Sequence, residues 1–165
     1  MDAAVPEGAV LFFGDSNTFT LVTAAVAPLA VNFGIGSLRS DQLQAAMPIY
    51  RSMARARAVS IMIGTNDVLT GAEDGLEDRY RGIIDQVPEG VPVILSSIPP
   101  INRPGLQDRA RYAALRASWA AYRRCRFVDL HSALDGLPDA LTDDGVHLDV
   151  RGYEVWCELL RQALG

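Results

Sequence analysis

Ala58-Val-Ser-Ile-Met-Ile63 is followed at once by Gly64-Thr-Asn-Asp67. Five of the six residues in that run are apolar. A strand wetted on one face alternates polar with apolar, so a near-continuous run reads as a strand covered on both faces, the hallmark of a parallel sheet between helices. The same grammar recurs on either side. Ala9-Val-Leu-Phe-Phe13, Leu29-Ala-Val-Asn32, Val91-Pro-Val-Ile-Leu95 and Arg126-Phe-Val-Asp129 are further short strand candidates, with Pro92 expected near a strand start because it lacks an N–H for the ladder.

Between these runs the apolar positions step by three and four, as helices require. The stripes are Leu43, Met47, Tyr50, Ala54; Leu76, Tyr80, Ile83, Ile84, Val87; Tyr112, Leu115, Trp119, Tyr122; and Tyr153, Trp156, Cys157, Leu160, Leu164. Each is expected to pack its apolar side on the sheet. Arg123, Arg124 and Arg126 close the third helix and enter the last strand, where the helix carboxyl end or solvent suits them. Alternating strands and helices over 165 residues predict one α/β domain spanning residues 1–165.

Composition narrows the chemistry. All fifteen positive charges are arginine, so lysine Schiff bases, pyridoxal anchoring and the phosphate-loop lysine are excluded. Only His131 and His147 are available as a general base near neutral pH unless a carboxylate is shifted. A net charge of −5 disfavours nucleic acid as a partner. No run is long enough to span a membrane and the first residues lack a signal pattern, so a cytoplasmic protein with no membrane partner is expected. Cys125 and Cys157 form no metal or redox motif, so neither a metal nor a disulfide is expected, and Cys157 lies on a helix stripe as a buried, inert thiol.

In open α/β sheets ligands bind beyond the carboxyl ends of the strands. Those ends carry Gly14-Asp-Ser-Asn-Thr18, Asn32-Phe-Gly-Ile-Gly-Ser37 and Gly64-Thr-Asn-Asp67, and Asp143-Asp-Gly-Val-His147 precedes the final helix. A serine hydroxyl is a poor nucleophile unless a base is in reach, which His147 supplies. A neutral imidazole needs its tautomer fixed, which Asp144 does better than Asp143 at a three-residue interval. The oxyanion formed by attack needs preorganised donors: the N–H of Ser16, an N–H in the Gly36-Ser37 turn, and the uncharged amide of Asn66. Asp15 and Asp67 are expected to hydrogen-bond loop backbone, and His131 to be structural.

Together these segments resemble the SGNH hydrolases, the GDSL-type esterase and lipase family, in order and over the whole chain. Phe13-Gly-Asp-Ser-Asn-Thr, Val31-Asn-Phe-Gly-Ile-Gly, Ile63-Gly-Thr-Asn-Asp and Asp144-Gly-Val-His-Leu match its four blocks. The resemblance implies a flavodoxin-like three-layer α/β/α sandwich with a five-stranded parallel sheet, a nucleophile at Ser16, an acid and base at Asp144 and His147, and an oxyanion donor at Asn66. Two positions depart from the pattern. Ser37 falls where many relatives carry glycine, so either Ser37 or Gly36 supplies the second donor, and Asn17 replaces the eponymous leucine.

The expected reaction is carboxylic ester hydrolysis through an acyl-enzyme. It requires no cofactor or metal, and a chain near the compact end for such a fold, with little spare length for a lid, suits a shallow cleft and short acyl groups, such as acetyl esters on a sugar or small metabolite. Phe19, Val68, Leu69, Asn102 and Arg103 are candidates to line it. A thioesterase or lysophospholipase is the alternative within the class; a non-catalytic flavodoxin-like binding module is the alternative outside it. Gly-x-Ser-x-Gly and Gly-x-Gly-x-x-Gly are absent, and no pair of carboxylates stands out for glycosidase chemistry.

Overall fold

Five strands, β1 (Val10–Gly14), β2 (Ala30–Gly34), β3 (Ala58–Met62), β4 (Val93–Ser96) and β5 (Cys125–Val128), pair in parallel in the order β2-β1-β3-β4-β5 in a computed structural model that describes residues 2–121 and 125–165. The expected strands are all present, shifted by one or two residues at their ends. β1, β3 and β4 are buried throughout, as strands covered on both faces should be. Pro92 stands immediately before β4, with its carbonyl accepting from the Val59 N–H.

The helices are α1 (Ser16–Thr20), α2 (Ser40–Ala46), α3 (Thr65–Thr70), α4 (Leu76–Ile84), α5 (Gln107–Ala121), α6 (Leu130–Leu134) and α7 (Val150–Leu164). α5 packs with α4, and α7 with α6, while both α5 and α7 contact β4 and β5. Two helix groups thus sandwich the sheet in the three-layer α/β/α arrangement. The core between them includes Phe12, Phe13, Leu11, Ile61, Tyr80 and Trp156, each worth about 1.5–3 kcal/mol of burial. The buried Trp156 indole N–H is satisfied by Ser96 Oγ at 3.1 Å.

Strand order places the site. β2 lies on one side of β1 and β3 on the other, so the connections leave β1 in opposite senses and open a crevice at its carboxyl end. Ser16 begins α1 two residues past β1. Gly34 ends β2 so close to α1 that a Cβ there would sit 2.3 Å from the Phe19 nitrogen. Gly64 turns β3 into α3 with φ +121, and a Cβ would meet the Tyr80 hydroxyl at 2.5 Å, the same hydroxyl that donates to the Ile63 carbonyl.

Two helical stripes differ from expectation. The stretch from Leu43 to Ala54 is not one helix: α2 ends at Ala46 and tighter turns run over Met47–Ile49 and Arg51–Arg55. Pro48 has no N–H to continue the ladder and its ring crowds the preceding turn. Leu43 and Met47 remain buried, but Met53 takes the inward place and Ala54 is exposed. In α5 the aromatic stripe faces outward, with Tyr112, Leu115 and Trp119 52%, 45% and 47% exposed. The helix packs instead through Ala110, Ala113, Ala114, Ala117 and Ala121. Tyr122, Arg123 and Arg124 lie outside the described residues. The stripes of α4 and α7 are inward, Val87 included, with Tyr153 and Leu164 half-buried.

Candidate active site

α1 exists because Asp15 caps it: its carboxylate accepts from the Asn17 N–H at 3.0 Å. This fixes Ser16 at the first helical position, partly exposed, at the mouth of the β1 crevice. Ser16 Oγ lies 2.9 Å from His147 Nε2, and His147 Nδ1 lies 2.5 Å from Asp144 Oδ2. An ionised carboxylate only accepts, so Nδ1 carries the proton and a neutral ring presents Nε2 as the acceptor for the serine hydroxyl.

The turn bearing Asp144 and His147 is held by its own hydrogen bonds. Asp144 Oδ1 accepts from the Val146 N–H at 2.8 Å, the His147 N–H at 3.0 Å and the Thr142 hydroxyl at 2.9 Å. Desolvation alone would raise this carboxyl, but the bonds from His147, Val146 and Thr142 outweigh it and hold Asp144 well below the usual carboxylate range. It stays ionised wherever His147 must collect a proton. Asn102 and Arg103 brace the turn from outside, the Asn102 N–H donating to the Gly145 carbonyl at 2.7 Å and Arg103 Nε to the Asp144 carbonyl at 2.8 Å.

Asn66 sits in the first turn of α3, and its amide nitrogen donates to the Leu38 carbonyl at 3.0 Å. That contact fixes which end of the amide is nitrogen, and a second hydrogen remains on it. The facing turn carries Gly36 and Ser37. Ser37 adopts φ +62, the left-handed conformation that glycine takes without cost, and the Leu38 N–H closes the turn on the Ile35 carbonyl.

Asp15 is fully buried, and desolvation pushes its carboxyl up to about 6 against the opposing bond from the Asn17 N–H. Asp67 accepts from both the N–H and the hydroxyl of Ser40 and pairs with Arg79 at 3.3 Å. Both aspartates hold loops, as expected.

His131 is elsewhere. β5 stops at Val128, so Asp129 caps α6 by accepting from the Ser132 N–H while His131 turns into the protein, 8% exposed and with burial lowering its pKa. It lines a cavity of about 540 Å³ together with Arg111, Asp135 and Leu141, whose walls include neither Ser16 nor His147. Of the lining candidates, Phe19 is 67% exposed one turn from Ser16, with Ile35 also exposed at 45% on the neighbouring turn. Leu69 is half-buried. Val68 is fully buried on the inner side of α3 and cannot line a cleft.

Three contributors escaped the sequence reading. The Asn32 amide donates to the Thr18 and Leu21 carbonyls at 2.7 and 3.1 Å and accepts from the Gly34 N–H at 2.8 Å, tying α1 to β2. A lone polar residue closing an apolar strand was the available signal. Asn17 and Tyr153 join α1 to the segment after His147, Oδ1 of Asn17 accepting from the Leu148 N–H at 2.9 Å and the Tyr153 hydroxyl donating to the Asn17 carbonyl at 3.0 Å. Cys157 is buried, its thiol pushed up by desolvation. Among the described residues no group of His, Cys, Asp and Glu is placed to hold a metal ion, and no helix is long and apolar enough to cross a membrane.

Residues 12–155 match the GDSL-like Lipase/Acylhydrolase family. A multidomain esterase of Ruminococcus flavefaciens is 33% identical over 108 residues, which cover 58% of this chain and 14% of that protein, so the chain spans about a seventh of the length of this curated relative. An acetylxylan esterase of Geobacillus stearothermophilus superposes with TM-score 0.80 at 22% identity over 100% of this chain and 97% of its own. A lipase/acylhydrolase of Enterococcus faecalis does so with TM-score 0.80 at 21% identity over 96% of each chain. The chain belongs to the GDSL-like lipase/acylhydrolase family.

Proposed function

We propose that this chain hydrolyses short-acyl esters, acetyl esters of a sugar or small metabolite above all, through a Ser16-His147-Asp144 triad. His147 Nε2 removes the hydroxyl proton as Ser16 Oγ attacks the ester carbonyl. The N–H of Ser16, an N–H of the Gly36-Ser37 turn and the Asn66 amide receive the oxyanion. His147 then protonates the leaving alcohol, and water repeats the cycle on the acyl-enzyme, with no metal or cofactor in any step.

The observation that carries this reading is the unbroken relay at 2.9 Å and 2.5 Å from Ser16 through His147 to Asp144. A non-catalytic binding module would have no use for a carboxylate held ionised behind an imidazole that faces a serine. The exposed flank formed by Phe19 and Ile35 favours small acyl groups and a broad, open alcohol side over a long acyl chain. The acetylxylan esterase likeness fits an acetylated glycan as substrate. A long-chain thioester or a lysophospholipid would need an apolar groove leading from Ser16.

The test is labelling with a fluorophosphonate beside a panel of p-nitrophenyl esters of rising acyl length and acetylated xylo-oligosaccharides. Ser16→Ala should abolish labelling and turnover, and Asn66→Ala should lower kcat by about 10²–10³. Labelling that persists in Ser16→Ala overturns the nucleophile, and preference for long acyl chains overturns the substrate class.

A further inference from the structure

Asn17 is fully buried beside the nucleophile, yet it is costly there. Its side-chain nitrogen has no hydrogen-bond partner among the described residues. An unpaired buried amide hydrogen is unfavourable, and a leucine, the residue of the eponymous pattern and of similar shape, would fill the same space without it. What asparagine supplies and leucine lacks is the acceptor: Oδ1 takes the Leu148 N–H at 2.9 Å, across a sequence separation of 131 residues.

The position of that bond matters. Asn17 is the residue after Ser16 and Leu148 the residue after His147. The two partners thus sit one residue beyond the two ends of the 2.9 Å Ser16–His147 contact, on segments that meet only in the fold. The turn carrying His147 is internally braced by Asp144, Thr142 and Arg103, so it is stiff, but those bonds do not locate it relative to α1. The Asn17–Leu148 bond does, buried and parallel to the reacting pair.

We propose that Asn17 is a positioning residue for ester hydrolysis, a latch that sets the distance between the Ser16 hydroxyl and His147 Nε2. The inference rests on the triad reading above and deepens it. A displacement of this pair by an ångström costs about 10²-fold in rate, so the latch acts on kcat, leaving substrate binding as it was.

The experiment replaces Asn17 by Leu and, should that variant fail to fold, by Ser, which is too short to reach Leu148. Turnover of p-nitrophenyl acetate, the rate of fluorophosphonate labelling, thermal unfolding and exchange of the Leu148 amide hydrogen are followed together. Asn17→Leu is expected to lower kcat and the labelling rate by about 10–100-fold with KM within about threefold, to speed Leu148 exchange, and to melt within a few degrees of the native protein. The latch is overturned if a folded Asn17→Leu or Asn17→Ser keeps native kcat, or if its loss merely follows a fall in melting temperature. Absence of labelling in the native protein, judged against Ser16→Ala, strikes the triad itself and removes the latch with it.

Discussion

The buried carboxylate of Asp67 grips Ser40 twice, accepting from its backbone N–H at 3.0 Å and from its hydroxyl at 2.5 Å. Arg79 completes the clamp, donating from Nε to the Ser40 hydroxyl at 2.6 Å and from Nη2 to Asp67 at 3.3 Å. Asp67 follows Asn66 directly, and Ser40 opens α2 just beyond the Ser37 turn. One ion pair, buried on the Asp67 side and partly exposed on the Arg79 side, thereby spaces the two elements that carry the proposed oxyanion donors. Asp67→Ala should cost about 1–3 kcal/mol, because the buried Ser40 N–H and hydroxyl lose their acceptor while Arg79 keeps the Asp74 and Ala72 carbonyls. Urea unfolding would read that loss. Esterase activity in the folded fraction should fall by more than about tenfold, since the spacing of donors is what the transition state senses. Native activity in folded Asp67→Ala would show that the turn holds its place without the clamp.

Ser37 makes a sharper probe of the same turn. At φ +62 it pays for a conformation that glycine occupies freely, a cost of about 1–2 kcal/mol set against the extra entropy that glycine loses on folding. Ser37→Gly should therefore be neutral to slightly stabilising and keep its activity, because the backbone N–H survives. Ser37→Pro removes that N–H and forces φ to the opposite sign, and kcat should fall by about 10²-fold or more if this is the second donor. Retained activity in Ser37→Pro transfers the role to Gly36. Steady-state kinetics on the two variants distinguish the outcomes.

Asp15 predicts a pH effect on stability. Its folded pKa is raised to about 6 by burial, above the 3.8 of an exposed aspartate. The folded state therefore holds a proton that the unfolded chain has released between those values. The contribution of this group is complete below about pH 3.8 and is lost as pH rises through about 6, an effect on the order of 3 kcal/mol. Asn keeps the capping oxygen for the Asn17 N–H but cannot ionise. The melting temperature of Asp15→Asn relative to the native protein should thus be lowest near pH 4 and climb towards pH 7. Asp144 works the other way, its lowered pKa adding stability above the unfolded value and losing it in acid. A difference between native and Asp15→Asn that is flat from pH 4 to 7 would mean that Asp15 is not shifted.

The strands and the four residues proposed for the site were legible in the sequence because both signals are short and contiguous. A short, branched-rich apolar run alternating with helical stripes reads as a strand, and Gly-Asp-Ser, Gly-Thr-Asn-Asp and Asp-Gly-Val-His each present their chemistry within a single turn. What stayed hidden depends on a choice between surfaces or on distance. Val68 and Leu69 are adjacent and equally apolar, and only the rotation of α3 sends Val68 into the core. The partner of Asn17 lies 131 residues away and is a backbone N–H, which no side-chain pattern encodes. The turn at Pro48 was readable, since proline breaks a helix, but the apolar stepping through it masked the break.

α5 is the clearest case of two faces competing. Tyr112, Leu115 and Trp119 carry more apolar surface than any alanine, yet the alanines are buried. Small side chains let the helix axis approach α4 and the sheet closely, and that backbone contact gains dispersion and area along the whole helix that three bulky residues would prop apart. The displaced aromatics pack on each other at the surface, with Tyr112 edge-on to Trp119 at 6.2 Å and the Arg116 guanidinium 5.0 Å from the Tyr112 ring. This predicts an inversion of the usual mutational rule. Leu115→Gln, a core-breaking change if the stripe faced inward, should alter stability by no more than about 0.5 kcal/mol. Ala117→Leu, ordinarily mild in a helix, should cost about 1–3 kcal/mol by forcing α5 off the sheet. Urea unfolding of the two variants beside the native protein decides it: a larger loss for Leu115→Gln than for Ala117→Leu would place the aromatic stripe inside after all.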